Sequence, residues 1–145
     1  MKLWLVAMVL SIPVWGQDIP DGPGKATVEK LCNNCHGLSS IVGLRHMKSE
    51  WETTVDEMVS RGLKANDEDL DAVVVYLARY LGKTNVNSAT AQELQDVGGF
   101  SSSDAEAIVR YRADNGSFKD IADLRKVPNL DQKRLDEHRD RISFK

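Results

Sequence analysis

The sequence predicts an all-α chain built from two small helical modules, and three observations carry that expectation. Apolar residues recur three and four apart along 26–81, residues that cap helices stand where those runs begin, and a second pattern of short helices and tight turns follows from 86 and repeats after about thirty residues. Gly82-Lys83-Thr84-Asn85 separates the two patterns, so the expected organisation is a leader at 1–16, a first module at 17–83 and a second at 84–145.

The leader comes first. Met1-Lys2 is a short positive start, Leu3 to Ile12 is apolar, Pro13 breaks the run, and Val14-Trp15-Gly16 precedes the expected cut after Gly16. The apolar run falls short of the roughly 20 residues that a membrane-spanning helix needs, so the expectation is a cleaved signal peptide, a periplasmic or secreted protein and no membrane span after cleavage. An uncleaved anchor is the other reading. Asp18 to Gly24 is then a proline- and glycine-rich lead-in. A first helix carries Ala26, Val28 and Leu31. A second is expected from Ser49, with Glu52 completing a capping box and Trp51, Val55, Met58 and Val59 on one side, ending at Arg61-Gly62. A third starts near Asn66, places Asp67, Glu68 and Asp69 where the helix dipole favours anions, and presents Leu70, Val73, Val74, Leu77 and Leu81 before Gly82.

Between the first two helices stands Cys32-Asn33-Asn34-Cys35-His36, which contains both cysteines of the chain. This is the spacing by which a protein attaches haem covalently: thiols three apart lie on one face of a helical turn and form thioethers with the two vinyl groups of one porphyrin, and the adjacent histidine ligates the iron. Three other readings compete. A redox disulfide calls for a βαβ context, a zinc site calls for four ligands where only His46 and His138 remain, and a structural disulfide is open to any close cysteine pair in an oxidising compartment. Haem attachment, one haem c per chain, accounts best for both cysteines falling in one pentapeptide that ends in histidine. A module this small is short of core, and a porphyrin would fill the gap.

His36 supplies the proximal iron ligand in this reading. The first candidate for the distal ligand is Met58, on the apolar side of the second helix with Trp51 two turns earlier to wall the pocket; Met47 is second and His46 would give bis-histidine ligation. Arg45 is the candidate partner of a haem propionate. These residues, with Gly37-Leu38, Met58-Val59-Ser60-Arg61-Gly62 and Val73-Val74-Val75-Tyr76-Leu77, resemble a small class I c-type cytochrome over 24–82. The resemblance implies an all-helical fold, histidine and methionine axial ligands, and single-electron exchange with periplasmic or membrane-bound redox partner proteins.

In the second half, Thr90-x-x-Glu93 is a capping box before a short helix, Val97-Gly98-Gly99-Phe100-Ser101 is a tight turn into a helix from Asp104 to Val109, and Asn115-Gly116-Ser117-Phe118 breaks the chain. Ile121 and Leu124 resume a helix, and Val127-Pro128-Asn129-Leu130-Asp131 turns into Leu135. Over 86–142 this resembles the tandem helix-hairpin-helix of the competence protein ComEA and related bacterial proteins. In that family a Gly-hydrophobic-Gly turn brings backbone N–H groups against DNA phosphates. Here the first turn keeps its leading glycines and loses the last, and the second, Asn129-Leu130-Asp131, has neither.

Charge places a further condition on DNA. Residues 17–83 hold 8 Lys+Arg against 11 Asp+Glu, a balance of −3, and residues 84–145 hold 10 against 11, a balance of −1. Lys119, Arg125, Lys126, Lys133 and Arg134 are the candidates for a local basic patch, but neither half is basic in bulk. The expectation is therefore a non-enzymatic, exported monohaem electron carrier whose helix-hairpin-helix module docks it to a partner. The alternatives are an exported, competence-like DNA-binding protein with a haem redox or sensing domain, and an electron-transfer subunit of a larger dehydrogenase.

Overall fold

The computed structural model describes Asp18–Lys145, so the leader assigned to 1–16 lies outside the described residues. Helix α1 (Lys25–Cys32) follows Gly24, whose φ of 94° turns the chain into it. A Cβ at Gly24 would come within 3.1 Å of the Tyr76 Cβ, so only glycine lets the lead-in lie this close to the helix below. Ile19 is buried there, and the Tyr76 hydroxyl donates to the Pro20 carbonyl.

A short helix α2 (Ser39–Val42), absent from the expectation, follows the cysteine motif. Helix α3 (Lys48–Ser60) begins two residues earlier than the Ser49 cap requires. The reason is local: the Glu50 carboxylate accepts from the Met47 amide at 2.6 Å, so Met47 and Glu50, rather than Ser49 and Glu52, close the N-terminus. Helix α4 (Asp67–Tyr80) starts as expected, with the Asn66 side chain accepting from the Asp69 amide at 2.7 Å. Val28, Leu31, Trp51, Val55, Val73 and Leu77 form the heart of the first core, in which α3 and α1 both pack on α4.

The chain leaves α4 through Gly82, where a Cβ would meet the Ala78 carbonyl oxygen at 1.8 Å. Strand β1 (Thr84–Asn85) then pairs in parallel with β2 (Ile142–Ser143), so the second module is closed by its own C-terminus. Between them run α5 (Ala91–Asp96), α6 (Ser102–Asn115), α7 (Ile121–Leu124) and α8 (Gln132–Glu137), with a single 3-10 turn at Arg139–Arg141. Leu94, Phe100, Ile108, Leu124, Leu130 and Leu135 anchor a second, separate core. The architecture is all-α, with four residues in a two-stranded sheet as its only regular strands among the described residues. No described helix is long and apolar enough to cross a membrane.

Two side chains hold the second module together. Asn87 donates through Nδ2 to the Phe118 and Phe144 carbonyls at 2.9 and 3.0 Å and accepts from the Phe118 amide at 2.8 Å. Arg112 on α6 donates to the Val86 and Ala89 carbonyls at 2.6 Å each, satisfying the loop ahead of α5.

Candidate functional site: two hairpins and an apolar groove

The second module is a repeat with an offset of 30 residues. Leu94 and Leu124 are both fully buried, Val97 precedes one turn and Val127 the other, and the helices after the turns bury Ala105 and Leu135 at equivalent positions. Gly99 adopts φ 76° and Asn129 adopts φ 60°, the one left-handed non-glycine residue among those described. Asparagine tolerates that conformation better than most residues, so the second turn keeps its shape although its glycines are gone. Phe100 and Leu130 follow, both buried, and then Ser101 and Asp131, which cap α6 and α8 by accepting from the amides of Asp104 and Arg134 at 3.1 and 3.0 Å. Helix α6 therefore starts at Ser102, two residues before the expected Asp104.

The two turns touch. Asp104, largely buried, accepts from the Ser101 hydroxyl at 2.7 Å and from the Asp131 amide at 3.2 Å. Arg134 donates to the Gly99 carbonyl at 3.1 Å, and the His138 ring lies 3.0 Å from where a Gly99 Cβ would stand.

The expected basic patch is mostly spent on the surface. Arg125 pairs with Asp136, Lys126 with Asp123 at 2.6 Å and Lys133 with Glu137 at 3.7 Å. The Lys126 ammonium beside Asp123 holds that carboxyl below its usual range, and Asp123 raises Lys126 in return. Exposed pairs of this kind contribute about 0–1 kcal/mol, so an incoming anion exchanges with them at little cost.

In the first module the cysteines are free, Cys32 half-buried and Cys35 exposed. Two adjoining cavities, of about 180 and 190 Å³, share Leu31, Cys32, His36, Met58 and Leu63; Trp51 walls the first and Cys35 edges the second. His36 and Met58 thus face one apolar groove, with both thiols on its margin. Burial pushes the Cys32 thiol up from its ordinary value. Two thiols, an imidazole and a thioether sulfur thus stand along one apolar groove, a donor set whose chemistry matches that of haem ligation.

The other expected site residues lie elsewhere. Met47 caps α3 and lines a different cleft, with Val75 and Ala78. The His46 backbone forms a bridge with Gly82, and its ring sits edge-on to Trp51 at 4.7 Å. Arg45, the expected partner of a propionate, forms an ion pair with Asp140 of the second module at 3.1 Å and donates to the Val42 and Leu44 carbonyls. The Trp51 indole donates to the Leu81 carbonyl at 3.2 Å, tying the wall of the groove to the end of α4.

Residues 81–143 match the family described as helix-hairpin-helix motif. The chain is 41% identical over 61 residues to ComE operon protein 1 of Bacillus subtilis, covering 42% of this chain and 30% of that protein. It is 41% identical over 63 residues to an uncharacterized protein of Haemophilus influenzae, covering 43% and 56%, and 42% identical over 52 residues to endonuclease/exonuclease/phosphatase family domain-containing protein 1 of Danio rerio, covering 36% and 10%. The chain thus spans between a tenth and about half of the length of these curated relatives. No solved structure matches. A description led by cytochrome c and electron transfer, with DNA binding last, is corrected by these matches: they fall on the second module, which is similar to the helix-hairpin-helix motif and to part of ComE operon protein 1.

Proposed function

We propose that the chain is an exported, competence-like DNA-binding protein that holds duplex DNA by its backbone through the helix-hairpin-helix module. One observation carries this reading: a left-handed residue, a buried apolar residue and a capped helix N-terminus recur 30 residues apart, the geometry that offers main-chain N–H groups to phosphate. The similarity of this module to part of ComE operon protein 1, and to part of a protein named for an endonuclease/exonuclease/phosphatase family domain, supports the same reading. Contacts to phosphate carry no sequence information, so binding is indifferent to base sequence. Competition gel shifts test this. Unlabelled duplexes of unrelated sequence compete equally with a labelled one; a preference above about tenfold for one sequence contradicts backbone recognition, because it requires discrimination at base edges.

For the first module we propose a covalently held haem as cofactor, supported by the groove that brings the Cys32–His36 motif and Met58 together. Cys32 and Cys35 would form the thioethers, and His36 and Met58 would ligate the iron, which would give the module a one-electron redox couple beside the DNA-binding unit. Thioether-linked haem survives acid extraction. Protein co-expressed with a haem-attachment system retains its Soret absorption after that treatment, whereas a Cys32→Ala/Cys35→Ala variant loses it; a colourless wild-type protein overturns the assignment.

A further inference from the structure

The repeat delivers opposite charges to its two turns. Asp104 and Arg134 occupy equivalent positions, each three residues beyond the capping residue of its own helix, and each side chain crosses to the other hairpin. Arg134 donates to the Gly99 carbonyl of the first turn, and Asp104 accepts the Asp131 amide of the second. The equivalent amide of the first turn, that of Ser101, has no partner among the described residues.

We infer that the second hairpin is closed to phosphate by Asp104 and Asp131, and that a duplex is held through the first hairpin alone. This inference rests on the DNA-binding reading and deepens it.

Two carboxylates stand at the second turn. Asp104 already occupies the amide at the head of α8, and Asp131 covers the Arg134 amide with its own side chain. An approaching phosphate would displace a satisfied, largely buried carboxylate from the first and meet like charge at the second. The first turn differs in its cap and in the side chain that crosses to it, although Asp104 also accepts from its Ser101 hydroxyl at 2.7 Å. Its cap is a neutral serine, and its neighbours from the facing helix are the Arg134 guanidinium, which uses one donor on Gly99 and keeps others, and the His138 ring. Exposed Ser102 and Ser103 lead α6 with first-turn amides that no other group among the described residues takes; the Gln132 and Lys133 amides of α8 are equally free, so the difference between the hairpins lies in the charges around them. The pseudo-repeat therefore builds two hairpins of one shape whose capping residues and crossing side chains differ in charge.

Matched substitutions separate the two hairpins. Ser102→Glu and Gln132→Glu place the same charge at equivalent first-turn positions, where an acidic residue suits the helix dipole and the fold is retained, as circular dichroism verifies. In anisotropy titrations of the full chain on a short labelled duplex at low salt, S102E weakens binding at least about tenfold, while Q132E stays within about twofold of wild type. Asp131→Ser keeps a capping side chain and removes the charge; its affinity rises several-fold. Equal losses in S102E and Q132E, or an unchanged affinity in D131S, overturn the inference while leaving DNA binding in place. Unchanged affinity in both glutamate variants overturns hairpin contact altogether, and a wild-type chain that fails to bind at low salt overturns the DNA-binding reading on which the inference depends.

Discussion

Asn87 offers the sharpest test of how the second module is held. Its amide makes three hydrogen bonds, to the Phe118 amide and carbonyl and to the Phe144 carbonyl, at 2.8, 2.9 and 3.0 Å. It thereby joins the segment before α5, the break between the two hairpins and the C-terminal segment. Asn87→Ala removes all three and strands three main-chain groups in a half-buried setting. At about 1 kcal/mol for each bond, with part of the desolvation penalty recovered by water, the expected loss is about 2–4 kcal/mol. Asn87→Asp separates bonding from bulk: a carboxylate still accepts from the Phe118 amide but turns an oxygen toward two carbonyl oxygens, so its loss at neutral pH exceeds that of alanine. Urea denaturation followed by circular dichroism measures both. A loss below about 0.5 kcal/mol for alanine, or an aspartate variant more stable than alanine at pH 7, refutes this account of the module's closure.

Three further outcomes follow from the geometry. At Asn129, φ 60° is acceptable to asparagine and glycine and strained for a β-branched side chain, so Asn129→Gly leaves stability within about 0.5 kcal/mol and Asn129→Val costs more than about 1 kcal/mol by urea denaturation. In protein made without haem attachment, exposed Cys35 is alkylated first and half-buried Cys32 lags, closing the gap only as pH rises past the ordinary thiol range; mass spectrometry of iodoacetamide-treated protein reads the order. The Met47 amide, with Lys83 and His46 nearby, holds the Glu50 carboxyl below its ordinary value of 4.5, so its contribution is present above that value and is lost as pH falls through the lower folded one. The stability gap between wild type and Glu50→Gln, measured by urea denaturation, is therefore constant near pH 7 and narrows below about pH 4.5.

What the sequence made legible were features with local causes. The Asn66 cap, the Thr90–Glu93 box and both turns follow from side chains acting on their own backbone, and each is found where it was read. The start of α3 escaped because two boxes overlap in sequence, and it is the Glu50 carboxylate that closes on the Met47 amide. Pairing of Thr84 with Ile142 escaped because it joins segments nearly sixty residues apart through backbone groups alone. The second turn was read with both its glycines missing, and what sequence did not show is that Asn129 takes the left-handed conformation in their place. The ion pair of Arg45 with Asp140 had no local signal, because it joins residues of different modules. The crossing of Asp104 and Arg134 between hairpins has no local signal beyond their equivalent places in the repeat, which become informative only once the repeat offset is known.

The central claim is that the helix-hairpin-helix module holds the DNA backbone, and the salt dependence of duplex binding tests it most directly. Titration of the full chain on a labelled duplex over a range of salt concentrations yields a straight line of log K against log salt whose slope is about −0.9 for each phosphate neutralised. For a single working hairpin with a small set of neighbouring cations, a slope between about −2 and −4 is predicted, together with binding that is measurable at low salt. No binding at low salt, or an affinity independent of salt, would contradict the account.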